Sequence, residues 1–429
     1  MMKKLGYYLF AASMTASVLL SSADVANCQS SVKTEKIKSD LTDLKKEIND
    51  LKHSLRLIKL EAGDSVEMQY VRQKISLVME KYKAVGLAVA VVKNGRIVFS
   101  DSYGYKNLET SEKLKGGELF RIASISKSFT ATAIMQLVDK EMLSLNEEVG
   151  DILGFKLRNP AFPDIPITVS MLLSHTSSLN DSQGYFNFDV VDPKASQDYV
   201  KCFNNYSPGS KYEYCNLGYN MLGAIVEKIT GVRFDLYVLE NILSPLGIYG
   251  GFNVDMLDRT KFAQIHEYNS QDNSFKVQPA AYKSRAEELK NYKIGYTTPI
   301  FSATGGMKIS ATDLAKYMTM HMNYGKLGSV QIISEESSQL MQSEIINAGN
   351  NVFYGFALEH AYNLIPEENM VGHTGSAYGL YSAMFFEPEK KFGFVIISNG
   401  AADSYVEGFA NIQRETIRVL YDYFIRYNE

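Results

Sequence analysis

The chain has 429 residues, 45% of them hydrophobic, and its 44 Lys and Arg against 48 Asp and Glu give a formal net charge of −4. That length supports one large domain or two modest ones with a real core. Nothing in this slightly acidic balance points to a protein that holds nucleic acid through its phosphates.

The chain opens with Lys3 and Lys4, an apolar stretch from Leu5 to Leu20, and then Ser21-Ser22-Ala23. This order of basic, apolar and small residues predicts a secretory signal over residues 1–23, and with it a periplasmic or secreted location. The alternative, a retained membrane anchor, is short for a bilayer span and interrupted by Ser13, Thr15 and Ser17. Cys28 adds a candidate lipidation site for tethering the mature protein, although Asn27 fits that signal poorly. Residues 24–62 read as linker and helix. Ile37, Leu41, Leu44, Ile48, Leu51, Leu55 and Ile58 alternate steps of four and three, the spacing of a coiled-coil seam. In a parallel homodimer through residues 37–58, Asp40 would face Lys45 and Glu47 would face Lys52. A single amphipathic helix satisfies the same spacing.

A globular pattern begins after Gly63-Asp64, so residues 63–429 are read as the domain. It opens with a helix rich in Val and Met. The runs Gly86 to Val92 and Arg96 to Asp101 flank Lys93-Asn94-Gly95 and predict a hairpin. A second hairpin, Leu380 to Phe386 and Phe392 to Ser398, surrounds a turn with Pro388, and a last helix is predicted from Val406 to Tyr427. Strands from both chain ends, with helical and loop sequence between them, predict an α+β fold. One antiparallel sheet is closed by the two ends and flanked by helices, and a mostly helical lobe is inserted.

Three strings carry chemistry. Ser124-Ile125-Ser126-Lys127 precedes Phe129 to Val138, a run apolar nearly all round and therefore a buried helix. At the start of that helix Ser124 would meet free backbone N–H groups, with Lys127 three residues on and on the same face. Alone, the string reads equally as a helix cap followed by a surface lysine. Tyr214-Cys215-Asn216 precedes the amphipathic stretch Leu217 to Ile229, which stops at Gly231. Asn216 alone reads as a cap and Tyr214 as cleft-wall packing. A lysine charge beside the phenol would favour phenolate and make Tyr214 a general base toward Ser124. His373-Thr374-Gly375-Ser376 follows Met370-Val371 and by itself is a turn between strands. Gly375 would let a substrate backbone approach, and the Ser376 N–H would complete an oxyanion hole with that of Ser124.

In this order and company the strings resemble the serine β-lactamase and penicillin-binding protein superfamily, in the class C branch that also holds DD-peptidases, D-amino-acid peptidases and esterases. Supporting strings are Leu172-Leu173-Ser174-His175-Thr176-Ser177-Ser178-Leu179, Pro208-Gly209-Ser210, and Gly305-Gly306-Met307 with Ser310 and Asp313 downstream. The resemblance runs from about residue 65 to the C-terminus. It implies Ser124 as the acylated nucleophile, Lys127 and Tyr214 as its proton-handling partners, Asn216 as a ligand for substrate amide and for Lys127, and Thr374, Gly375 and Ser376 as the substrate-binding strand. His175 is expected to be structural.

True class C β-lactamases usually carry lysine where this chain has His373. A histidine near its reference pKa of about 6.5 is mostly neutral above pH 7, so its pull on a substrate carboxylate would be weaker and pH-dependent. Cys215 also replaces a residue that is often small. The resemblance therefore implies an exported serine hydrolase acting through an acyl-enzyme on peptide, ester or β-lactam groups, of small or cell-wall-derived substrates, and more a peptidase or esterase than a dedicated β-lactamase. The rival is a non-catalytic penicillin- or peptidoglycan-binding scaffold assembled through the coiled coil. No string has metal-ligand spacing, so no metal or other cofactor is expected. Two alternatives stay open. Export would leave Cys202 and Cys215 either bridged or as two buried thiols, and Asp181 to Val200 forms either an aromatic wall over the cleft or a surface loop.

Overall fold

A computed structural model describes residues 66–426; residues 1–23, expected to be a secretory signal, Cys28 and the heptad stretch of residues 37–58 lie outside them. The Val- and Met-rich segment forms α1 (Val66–Lys81), which buries Val71, Ile75 and Val78 at steps of four and three. The predicted hairpin follows as β1 (Gly86–Lys93) and β2 (Arg96–Asn107), turning at Asn94 and Gly95 with φ of 53° and 70°. Positive φ at both central residues is what a two-residue hairpin turn needs to match strand twist. The run Leu87 to Val92 is buried throughout, as a strand covered on both faces must be.

A short edge strand, β3 (Glu112–Lys113), precedes the inserted lobe. After the lobe come β4 (Ile346–Gly349), β5 (Val352–Tyr354), β6 (Glu359–Ala361), β7 (Met370–Ala377), β8 (Leu380–Glu387) and β9 (Phe392–Gly400). These nine strands make one antiparallel sheet in the order β4-β5-β6-β7-β8-β9-β1-β2-β3. The two chain regions join where β1 pairs with β9, from Leu87↔Ser398 to Lys93↔Phe392. The fold is the α+β arrangement expected.

The lobe is built around α2 (Ser126–Asp139) and α3 (Asn216–Thr230), which pack on each other. Every α2 residue from Ser126 to Leu137 is buried, so its polar side chains must find partners inside. Thr130 Oγ1 donates to the Ala303 carbonyl at 2.7 Å, and Gln136 Nε2 donates to the carbonyls of Asn241 and Ile332 at 2.9 and 3.0 Å. A further helix, α4 (Ala311–Met322), joins the same core as Ala88, Ala90, Val395 and Ile397 of the sheet. Its N–H at Asp313 is capped by Ser310 Oγ at 3.1 Å, which gives that serine a structural task. The final helix, α5 (Asn411–Tyr421), packs on β8 and β9 and sets Tyr421 against Phe392 and Phe394.

Two boundaries differ from expectation. The last helix begins at Asn411, because Tyr405–Val406 and Phe409–Ala410 form a small hairpin and Asp403 Oδ2 accepts the Ile412 N–H at 2.7 Å. Ser124 lies in a 3₁₀ turn, Ala123–Ile125, with α2 starting at Ser126. The string His373 to Ser376, which by itself reads as a turn, lies within strand β7, as the resemblance implies for Thr374, Gly375 and Ser376.

Candidate active site

Ser124 is half-buried and follows Ala123, whose φ of 45° lies in the left-handed region that a side chain resists. This bend brings the hydroxyl over the first turn of α2. Lys127 Nζ, fully buried, sits 3.1 Å from Ser124 Oγ, 2.8 Å from Asn216 Oδ1 and 3.0 Å from the Thr304 carbonyl. Its amine also lies 4.5 Å from the centre of the Tyr214 ring. The serine, lysine, tyrosine and asparagine named from sequence are thus brought together.

The orientation of Asn216 depends on Asp181, whose place in the sequence marks only the start of a loop. Asn216 is the first residue of α3 and does not cap it. Asp181 caps the helix from a distant loop, its carboxylate accepting the N–H groups of Asn216 at 2.9 Å and Leu217 at 3.0 Å and the Asn216 Nδ2 at 2.8 Å. With Nδ2 committed to Asp181, Oδ1 must face Lys127, and it also accepts Thr304 Oγ1 at 2.6 Å. A clue lay in Cys215, which precedes α3 and provides no cap of its own. Among the described residues both cysteines are free thiols: Cys215 Sγ lies 3.4 Å from Asp181 Oδ1, and Cys202 Sγ donates to the Val190 carbonyl at 3.2 Å.

Burial pushes the Lys127 amine down from its usual range to about 7, with the Asp181 charge working against that fall. Tyr214 moves the other way. Burial raises its phenol well above the ordinary value, the Glu359 and Asp181 carboxylates push it further, and the Ser124 hydroxyl offsets only part of this. The expectation of a phenolate at neutral pH is therefore corrected: desolvation outweighs any help from the lysine. Glu359 itself, on β6, is raised to about 8 by burial.

His175 follows the short helix Val169–Leu173 at a φ of 57° and is buried among the rings of Tyr212, Tyr214, Tyr219 and Tyr354. Its Nδ1 accepts the Cys215 N–H at 3.1 Å and its carbonyl accepts the Glu213 N–H at 2.8 Å. The histidine holds the backbone on both sides of Tyr214, the structural part expected of it.

His373 departs from expectation. It is buried, its Nδ1–H donates to the Thr374 carbonyl, its Nε2 accepts the Tyr354 hydroxyl at 3.1 Å, and its ring lies 6.3 Å from that of Tyr214. Burial and then the Lys127 charge lower it to about 3, so it stays neutral over the physiological range and cannot supply a pH-dependent cation. Thr374 is half-buried and Ser376 exposed on the same strand, beside the turn that carries Ser124. Gly375 is needed for a reason other than substrate approach: a Cβ there would stand 2.2 Å from the Ile122 carbonyl and 2.4 Å from Ser382 Oγ. The aromatic segment splits, with Phe188 buried in the core, Phe186 exposed and Tyr185 between them.

Comparison with known proteins places the family and the fold. The family model described as Beta-lactamase matches residues 71–415. Penicillin-binding protein 4* of Bacillus subtilis is 26% identical over 356 residues, 76% of this chain and 71% of that protein. The chain spans only 61% of the length of other curated relatives. The octameric penicillin-binding protein homologue from Pyrococcus abyssi has a TM-score of 0.65 at 27% identity, covering 82% of this chain and 76% of that one. The D-alanine carboxypeptidase AmpC from Burkholderia cenocepacia shares the fold with a TM-score of 0.62 at 19% identity, covering 83% of this chain and 98% of its own. The chain belongs to the Beta-lactamase family.

Proposed function

We propose that this protein is a serine hydrolase that transfers acyl groups through a covalent intermediate on Ser124, acting on peptide, ester or β-lactam bonds. One observation carries the reading. A neutral amine has two N–H donors and one lone pair. Two of the three groups around Lys127 Nζ, Asn216 Oδ1 and the Thr304 carbonyl, can only accept. They take both N–H bonds and leave the lone pair facing Ser124 Oγ at 3.1 Å.

Attack then proceeds as the Ser124 proton passes to Lys127 while Oγ bonds to the substrate carbonyl carbon. Collapse of the tetrahedral intermediate breaks the bond to the leaving group, which takes a proton from the neutral Tyr214 phenol. Lys127 returns its proton to Tyr214, and water repeats the sequence on the ester to release the acid. Thr374 to Ser376 lines the substrate, and the N–H groups of Ser124 and Ser376 stabilise the oxyanion. The relatives named as a carboxypeptidase and as penicillin-binding proteins support a substrate with a peptide-like amide or a β-lactam. We further propose export through residues 1–23, tethering at Cys28 and dimerisation through residues 37–58. A fluorophosphonate probe tests the reading: it should label the wild-type protein and not Ser124→Ala, and equal labelling of both would overturn it.

A further inference from the structure

A second cation, close enough for its charge to act on Lys127, takes no part in the chemistry above. Arg121 lies on the two-residue strand Phe120–Arg121, which pairs with Lys308–Ile309. Its Nε donates to the Gly305 carbonyl at 2.8 Å, while the neighbouring carbonyl, that of Thr304, receives Lys127 Nζ at 3.0 Å. Adjacent backbone carbonyls therefore hold the guanidinium and the active-site amine. A Cβ on Gly305 would lie 3.6 Å from Arg121 Nη2 and 3.8 Å from the carbonyl carbon of Ala123, the residue before Ser124. Tyr378, just past the end of β7, sets its ring 5.5 Å from the guanidinium carbon. Arg121 is half-buried, and none of the ion pairs among the described residues includes it.

A half-buried guanidinium with no carboxylate paired to it loses part of its hydration without an ionic partner in return. Its planar fork matches a carboxylate through two parallel hydrogen bonds, which a point charge cannot reproduce. His373, turned inward onto Tyr354 and the Thr374 carbonyl, is not available for that task. We propose that Arg121 is the specificity-determining residue that recognises a carboxylate on the substrate, so that the preferred substrates are anionic acyl compounds such as peptides with a free C-terminus.

This inference rests on the serine hydrolase reading, and its test separates the two. The thioester hippuryl-thioglycolate and its methyl ester differ only by a carboxylate. In the wild type kcat/KM should favour the acid, and Arg121→Met should shrink that preference by about 10- to 100-fold, with Arg121→Lys restoring only part of it. An unchanged preference, or equal loss on both thioesters, would overturn the assignment. A binding measurement that needs no turnover stands beside it. On Ser124→Ala, calorimetry with acetyl-D-Ala-D-Ala and its C-terminal amide should show tighter binding of the acid, lost on adding Arg121→Met. Equal binding of acid and amide would refute the role of Arg121 even if fluorophosphonate labelling supports the hydrolase.

Discussion

Raising the pH from 6 to 8 should accelerate acylation of Ser124 about 10-fold and then stop accelerating it. The magnitude follows from Lys127, whose amine burial lowers to about 7. A base of that pKa is free in roughly one molecule in ten at pH 6 and about nine in ten at pH 8. Below pH 7 the ammonium donates to Ser124 Oγ and no lone pair is available; above it the two fixed acceptors hold the amine with its lone pair toward the hydroxyl. Tyr214 cannot produce this shape, since burial keeps its phenol protonated well past pH 10, and a phenolate base would give a rate still climbing there. Lys127 and Tyr214 exchange a proton during turnover, so the observed midpoint belongs to the pair. The assay is the second-order rate of labelling by a neutral fluorophosphonate between pH 5.5 and 10. A plateau above about pH 8 is expected, and a flat profile, or one without a plateau, would refute the assignment of the base.

Three further outcomes are expected. Asp181→Asn removes a charge that holds Lys127 up, so the rising limb should move to lower pH; a shift to higher pH would show that Asp181 does not act on the amine as described. Gly375→Ala forces a Cβ against the Ile122 carbonyl and Ser382 Oγ, and should cost about 1–3 kcal/mol in urea unfolding; a neutral result would mean that β7 shifts freely. His373→Gln should leave the pH profile of labelling unchanged in shape between pH 6 and 8, because His373 is already neutral there; loss of a limb in that range would restore it as a titrating group.

Local pattern made part of the molecule legible in the sequence. Both hairpins follow from strand runs flanking turn residues, and the meeting of Ser124 and Lys127 follows from three-residue spacing at the head of a helix. Long-range contacts hid the rest. Nothing near Asn216 announces Asp181, 35 residues earlier, as the group that turns its amide. Strand β7 is obscured because Thr, Gly and Ser are weak strand formers, and Gly375 is required by a carbonyl at Ile122, far away in the chain. His373 reads as a weak, pH-dependent anchor for a carboxylate because nothing local reveals its hydrogen bond with Tyr354, from β5. The phenolate expectation for Tyr214 weighed a nearby charge and had no measure of how deeply the ring is packed.

The most direct test of the acyl-enzyme is to map the modified residue by mass spectrometry after reaction with a fluorophosphonate or a penicillin. Cleavage after Arg121 and Lys127 isolates residues 122–127, which contain two serines. Ser126 is buried and its Oγ accepts the Met307 N–H at 3.0 Å, so it is held by the fold. The account predicts a single adduct on Ser124. An adduct on Ser126 or on a serine outside this peptide, or no adduct from either reagent, would contradict it.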